Sequence, residues 1–315
     1  MRHVIDAVIP VYKPDGTFDE LLRRLAAQRV PVRRVVVVNT EEKYWDGEHF
    51  SRLIAEAGKN PDWLRVHHIR KIEFDHGGSR NLGVRLSDAD IFLCMTMDAI
   101  PRDRSLTAHL LRLLDSSEDI AAVYGRQLPC RGCGTIERYT RQFNYPEKSR
   151  VKSEADLPEL GIKTYFCSNV CAMYRRDIWE KLGGFTARTI FNEDMIYAGH
   201  AVKAGFRIGY AADAEVIHSH NYSGITQLHR NFDLAVSQVD HPEVFGGIHS
   251  EGEGIRLVRK TAFWLLRNGD ILLLPKLVWQ SGCKYLGFRL GRDYRKLPRW
   301  LILRLTMNRS YWERG

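Results

Sequence analysis

A chain of 315 residues with 44% hydrophobic and 27% charged positions is long enough to bury a large core, which excludes disorder as its default state. Six cysteines are too few for a disulfide scaffold, so free thiols in a reducing compartment are expected. The net charge of +9 is unevenly placed: residues 255–315 carry fourteen Lys or Arg against three acids, near +11, leaving the first 254 residues near −2. No window approaches the roughly 18 uninterrupted apolar residues of a membrane span. The start, Met1-Arg-His, leads into a short strand rather than a secretion signal, so a cytoplasmic location is expected.

Val4 to Val11 reads as an apolar strand, and Phe18, Leu21, Leu22 and Leu25 have the spacing of one buried helical face. Val35 to Val38 is a β-branched run typical of a strand covered on both faces, and Leu64 to Ile69 reads as the next strand. Asn81 to Leu86 is expected to be a helix, followed by a strand at 91–97. This alternation implies an α/β fold with a doubly wound, mostly parallel sheet. Beyond residue 120, Ala121 to Tyr124 and Phe166 to Tyr174 read as strands, with Arg-, Gly- and Pro-rich loops between them. Arg175 to Leu182 is expected to be a short helix, and Asn192 to Ala204 another, with Asn192 as its N-cap and Gly205 at its end.

From residue 251 onward, clusters such as Phe263-Trp-Leu-Leu266, Leu277-Val-Trp279 and Trp300-Leu-Ile-Leu303 alternate with Arg and Lys in short helical segments. That is the pattern of helices lying in an anionic membrane interface. Packing as a cap on the main domain is the competing expectation. A nucleic-acid surface fits less well, because interleaved Leu and Trp bury in lipid better than they read phosphates. Two domains are therefore expected, a catalytic one at 1–250 and a basic amphipathic tail at 251–315.

Four stretches carry chemistry. Asp98 ends an apolar strand where open α/β sheets bind ligands, and one carboxylate there suits a hard divalent cation. A plain helix cap for residues 103–115 is the alternative role. Asn39 ends another strand, where its amide can meet a nucleobase edge. In His76-Gly-Gly-Ser-Arg-Asn81, the glycines, Gly78 among them, and Arg80 at a helix mouth suit a diphosphate. Glu193 and Asp194, in a helix's first turn, suit removal of a proton from an attacking hydroxyl, although the helix dipole lowers such a pKa. Cys130 and Cys133 with Cys167 and Cys171 have the residue types of a zinc site. Cys167 and Cys171 are expected too far apart along one strand to chelate a single ion.

Ile9-Pro-Val-Tyr12, Phe74-Asp-His-Gly-Gly-Ser-Arg-Asn-Leu-Gly83, Thr96-Met-Asp-Ala-Ile-Pro101, Asn192-Glu-Asp194 and His218-Ser-His-Asn-Tyr-Ser223, in that order, resemble a bacterial family 2 glycosyltransferase of the rhamnosyltransferase type. The resemblance covers roughly residues 4–225. It implies a GT-A fold and an inverting hexosyl transfer from a nucleotide-sugar donor, dTDP-L-rhamnose, to a saccharide acceptor of a surface polysaccharide on a lipid carrier. It further implies Mg²⁺ or Mn²⁺ at Asp98, joined by His218 or His220, and a base at Asp194. Donor contacts are implied from Pro10, Tyr12, Asn39, Arg80 and Asp98. The basic tail adds the expectation of a peripheral location at the inner face of the plasma membrane. The chain departs from the family pattern at Asn39-Thr-Glu-Glu-Lys-Tyr-Trp45, where an aspartate and small residues are usual. It departs again at Met97-Asp-Ala99, which offers one carboxylate instead of two. A UDP-sugar donor and a catalytically inactive nucleotide-sugar-binding scaffold are the alternatives.

Overall fold

The structure, a computed structural model, describes residues 3–247 and 251–313; the expected domain boundary at residue 250 lies outside the described residues. Its centre is one nine-stranded sheet. Strands β1 (Ile5–Tyr12), β2 (Arg34–Thr40), β3 (Leu64–Ile69) and β4 (Ile91–Met95) run parallel in the order β3-β2-β1-β4. Helices α1 (Gly16–Ala26), α2 (Gly47–Glu56) and α3 (His76–Arg85) make the crossovers. The remaining strands are β5 (Ile100–Pro101), β6 (Ile120–Leu128), β7 (Arg150–Lys152), β8 (Cys171–Arg175) and β9 (Arg207–Ile217). They continue the sheet as β4-β8-β6-β9-β5, with β7 also on β9. The sheet is mostly parallel as expected, with β5, β7 and β8 running against the other strands.

Both faces of the sheet are covered, which is why Val35 to Val38 is apolar without alternation. Val35 and Val37 face the α1 side with Phe18, Leu21, Leu22 and Leu25, and Val36 faces the opposite core with Val8, Val84 and Phe92. The other helices in chain order are α4 (Leu106–Leu114), α5 (Thr135–Asn144), α6 (Leu157–Leu160), α7 (Arg176–Lys181), α8 (Glu193–Lys203), α9 (Gly224–Asp240) and α10 (Pro242–Phe245). The tail contributes α11 (Glu251–Arg267), α12 (Leu274–Arg292), α13 (Arg299–Leu305) and α14 (Arg309–Glu313).

Three sequence expectations are corrected. Helix α3 starts at His76 instead of Asn81, because the Asp75 carboxylate accepts the Gly78 N–H at 2.6 Å and caps the helix there. The strand expected from Phe166 starts only at Cys171. Before it, Ser168 accepts a hydrogen bond from Gln127 and Asn169 holds Glu193 and Tyr174, so this segment serves side chains instead of a ladder. The loops expected between Tyr124 and Phe166 contain α5, β7 and α6.

Helix α12 packs along α9 through glycines. A Cβ on Gly287 would stand 2.1 Å from the Leu228 carbonyl oxygen, and one on Gly291 2.3 Å from that of Phe232. Only a hydrogen side chain admits such backbone contact. The opposite faces of the tail helices stay uncovered: Leu272 is 93% exposed, and Phe263, Val278 and Trp300 are exposed as well.

Candidate active site

Strand pairing brings Asp98 to two histidines. β5 runs antiparallel to β9 with Ile100 opposite Ile217, so the turn before β5 lies against the residues that follow β9. Asp98 sits in that turn, and His218 and His220, two residues apart in extended chain, lie on one side of it. Asp98 Oδ2 is 3.5 Å from His218 Nε2 and 3.3 Å from His220 Nε2. Burial opposes ionisation of Asp98, yet His218, Thr96 and His220 hold its pKa well below the usual aspartate value. Burial first, then neighbouring His218, push the His220 pKa down to about 4, so its ring is neutral at pH 7. Asp98 does not cap the following helix, α4, whose N-cap is Ser105 and which has no side-chain cap.

Glu193 and Asp194 follow a left-handed residue. Asn192 stands at the expected N-cap position of α8 with φ +65°, a conformation Asn tolerates better than other side chains, but its side chain makes no cap bond to the helix. Its amide nitrogen instead donates to the Leu234 carbonyl at 3.3 Å. The turn sends the two carboxylates to different partners. Glu193 is buried against Arg80, Nη1 to Oε1 3.0 Å, and accepts from Asn169 Nδ2 at 3.1 Å. Burial works against its charge, but Arg80, His76 and Asn169 outweigh it and its pKa falls below the glutamate value. Asp194 accepts N–H groups from Asn169 at 2.9 Å and Met195 at 2.8 Å. Burial, and then the adjacent Glu193 charge, push its pKa up to about 7. The helix dipole is thus overcome, and Asp194 is poised to exchange a proton near neutrality.

Asp98, Arg80, Glu193, Asp194, His218 and His220 all line one crevice of about 490 Å³. Pro10, Tyr12, Asn39 and Gly78 lie outside that lining. Pro10 and Tyr12 pair with Val38 and Thr40, so they stand with Asn39 at the adjoining C-terminal ends of β1 and β2. Tyr12 is 40% exposed and meets Tyr44 edge to face. Asn39 is fully enclosed, its Nδ2 bound to His68 Nδ1 at 2.9 Å and its Oδ1 without a partner among the described residues. The Gly78 N–H is taken by Asp75, and Arg80 Nη1 by Glu193 and the His76 carbonyl, while the buried Arg80 Nε has no partner among the described residues.

Sequence reasoning passed over Gln127, Asn169, Tyr222, Arg230 and Lys284, which also line the crevice. Gln127 Oε1 lies 3.0 Å from His218 Nδ1 and also accepts from Arg141. An amide oxygen only accepts, so His218 donates from Nδ1 and presents its Nε2 to Asp98 and His220. Position 127 sits at the end of a strand, the one signal that could have singled it out. For Lys284 the signal was the spacing of Cys283, Gly287 and Gly291, small residues four apart that mark a helix contact.

Whether this pocket suits a cation is a question of donor chemistry. Asp98, His218 and His220 offer one carboxylate oxygen and two imidazole nitrogens, all within 4.8 Å of one another. The two Nε2 atoms stand 3.0 Å apart, a spacing at which two bare lone pairs repel unless a proton or a cation lies between them. Residues and geometry fit a divalent ion. No other such trio occurs among the described residues, and the six cysteines are free thiols.

Residues 6–183 match the model of "Glycosyl transferase family 2". The chain belongs to that family. The O-antigen chain rhamnosyltransferase RfbN of Salmonella typhimurium is 36% identical over 312 residues, 98% of this chain and 96% of the relative. WbaN of Salmonella anatum, of the same description, is 38% identical over 248 residues, 78% of each chain. Among solved structures, the Pyrobaculum calidifontis mannosyltransferase PcManGT in complex with GDP-Man and Mn²⁺ superposes with a TM-score of 0.61 at 16% identity, covering 94% of this chain and 89% of its own. TarS 1-349 of S. aureus with UDP-GlcNAc gives 0.51 at 17% identity, covering 93% and 92%. The fold is therefore the GT-A α/β fold of the glycosyltransferases, and this family 2 member is a glycosyltransferase by descent.

Proposed function

We propose that this enzyme moves L-rhamnose from dTDP-L-rhamnose, with inversion, onto a saccharide acceptor of a bacterial surface polysaccharide carried on a lipid. The observation that carries the reading is Asp98 and its two histidines sharing one crevice with Asp194, in a chain 36% identical over 98% of its length to an O-antigen rhamnosyltransferase. Asp98, His218 and His220 would hold Mg²⁺ or Mn²⁺, and the two imidazoles favour Mn²⁺. Such an ion, when bound, neutralises charge on a departing diphosphate. Asp194 removes the acceptor proton as the hydroxyl attacks the anomeric carbon from the face opposite the nucleotide. The Asn169 and Met195 N–H groups hold that carboxylate, and burial with the adjacent Glu193 charge keeps its pKa high. Pro10, Tyr12, Asn39 and Gly78, at the neighbouring strand ends and helix mouth, are assigned to the nucleotide.

The residues 251–315 tail is proposed to rest on the anionic inner face of the plasma membrane. Exposed apolar side chains beside basic ones support this. No described helix is long and apolar enough to cross a membrane. The deciding experiment incubates the full chain and Mn²⁺ with dTDP-L-rhamnose, a UDP-hexose or a GDP-hexose and a lipid-linked acceptor, and follows release of the nucleoside diphosphate. Release that requires both dTDP-L-rhamnose and acceptor is expected. Turnover with UDP-hexose alone would replace the donor, and no turnover with any donor would indicate a binding scaffold.

A further inference from the structure

Three cations reach the crevice from three different helices: Arg141 of α5, Arg230 of α9 and Lys284 of α12. Arg141 is paired with Glu137 at 2.7 Å and also bonds Gln127. Arg230 lays its guanidinium over the Phe191 ring at 4.6 Å and the Tyr222 ring at 5.7 Å, contacts that use its face and leave its N–H edge available. Among the described residues neither Arg230 nor Lys284 has a carboxylate partner. Burial lowers the Lys284 pKa, Glu137 works against that, and Arg230 and Arg141 add to it, so the three cations feel one another. Like charges gathered in a partly desolvated cleft are costly unless an anion joins them.

Lys284 is held there by construction. Gly287 and Gly291 follow it at three and seven residues, on the same helical face, and press α12 against the backbone of α9 at Leu228 and Phe232. That contact sets where the lysine stem leaves the helix. Trp279 of the same helix covers Gly224 at the start of α9, where an added Cβ would lie 2.3 Å from the indole nitrogen.

We infer that Arg141, Arg230 and Lys284 form a receptor for a diphosphate group, so that the C-terminal helix α12 contributes a substrate contact as well as support. The inference rests on the proposed transfer reaction, in which both the donor nucleotide and the carrier head of the acceptor present this chemistry. Two adjacent phosphates carry enough charge to engage three cations, and guanidinium and ammonium groups are both suited to them.

The test uses the full chain and, as probe, inorganic pyrophosphate titrated by calorimetry in EDTA, so that no cation contributes. Lys284→Gln and Arg230→Gln are each expected to weaken binding about tenfold, as loss of a charge-assisted hydrogen bond does. Lys276→Gln, exposed on the same helix and outside the crevice, should bind as the parent chain does. Equal affinity in all four proteins, with circular dichroism confirming that each is folded, would overturn the receptor, as would a parent chain that binds no pyrophosphate. Two further arms name the source. A tenfold rise in KM for a polyprenyl-diphosphate-linked acceptor, without change for an alkyl glycoside, assigns the site to the carrier, whereas a matching loss of dTDP affinity assigns it to the donor. A parent chain that binds pyrophosphate but transfers no sugar would sink the proposed function and leave the receptor standing.

Discussion

Arg80 Nη1 stands 3.0 Å from Glu193 Oε1, with both side chains almost wholly removed from water. After burial itself, the Glu193 charge is what raises the pKa of neighbouring Asp194, the carboxyl proposed to take the proton of the attacking hydroxyl.

Replacing Asp194 by Asn removes the proposed base and little else. Transfer is expected to fall by roughly a hundredfold to ten-thousandfold, with dTDP affinity by calorimetry within about twofold of the parent. Retained transfer would move the role to another group.

The pH dependence follows from the same carboxyl. A base must be ionised, so kcat/KM should rise with pH through about 7. The folded pKa lies above the ordinary 3.8, so Asp194 contributes stability that is full below that value and lost as pH climbs to about 7. Thermal melts of Asp194→Asn should therefore match the parent near pH 4 and exceed it increasingly up to pH 7 to 8.

Arg80→Gln leaves the Glu193 charge buried without its partner. Urea unfolding at pH 7.5 should show a loss of roughly 3–5 kcal/mol, the cost of breaking a buried pair by removing one member. A loss below about 1 kcal/mol would mean that Glu193 takes up a proton or water with ease.

Gln127→Ala frees the His218 ring to turn. Mn²⁺ affinity, read by electron paramagnetic resonance titration, should fall about tenfold to a hundredfold, and Asp98→Ala should fall further. Unchanged affinity in both variants would remove the metal assignment from this trio.

Flotation with anionic vesicles tests the tail. Phe263→Ser combined with Leu272→Ser removes two side chains that stand 66% and 93% exposed, and binding should drop by at least about tenfold and weaken with salt. Equal flotation of the parent and double variant would favour a tail that serves only as a packed cap.

How much of this could be read from the residues alone varies by element. The β-branched run at Val35 to Val38 and the period of Phe18 to Leu25 announced a strand and helix because local burial decides them. The strand expected from Phe166 failed, since that apolar-looking segment is recruited by Asn169 and Ser168 to hold groups from distant parts of the chain. Asp98 and Asp194 were legible as carboxylates at strand and helix ends. Gln127 and Lys284 were not, because nothing local distinguishes an amide or a lysine that meets its partners only across the sheet or between helices.

By itself, the order of residues determined the alternation of strands and helices, the positions of the acids and histidines, and the concentration of positive charge in the last sixty or so positions. These are matters of period, side-chain chemistry and composition. Only the tertiary structure decided that β5 pairs against β9, so that Asp98 meets His218 and His220, and that Arg80 claims Glu193 and thereby sets Asp194 apart. It also decided that glycine contacts carry Lys284 into the crevice. Each of these depends on groups far apart in the chain coming within a few ångströms, where burial magnifies charge and fixes geometry.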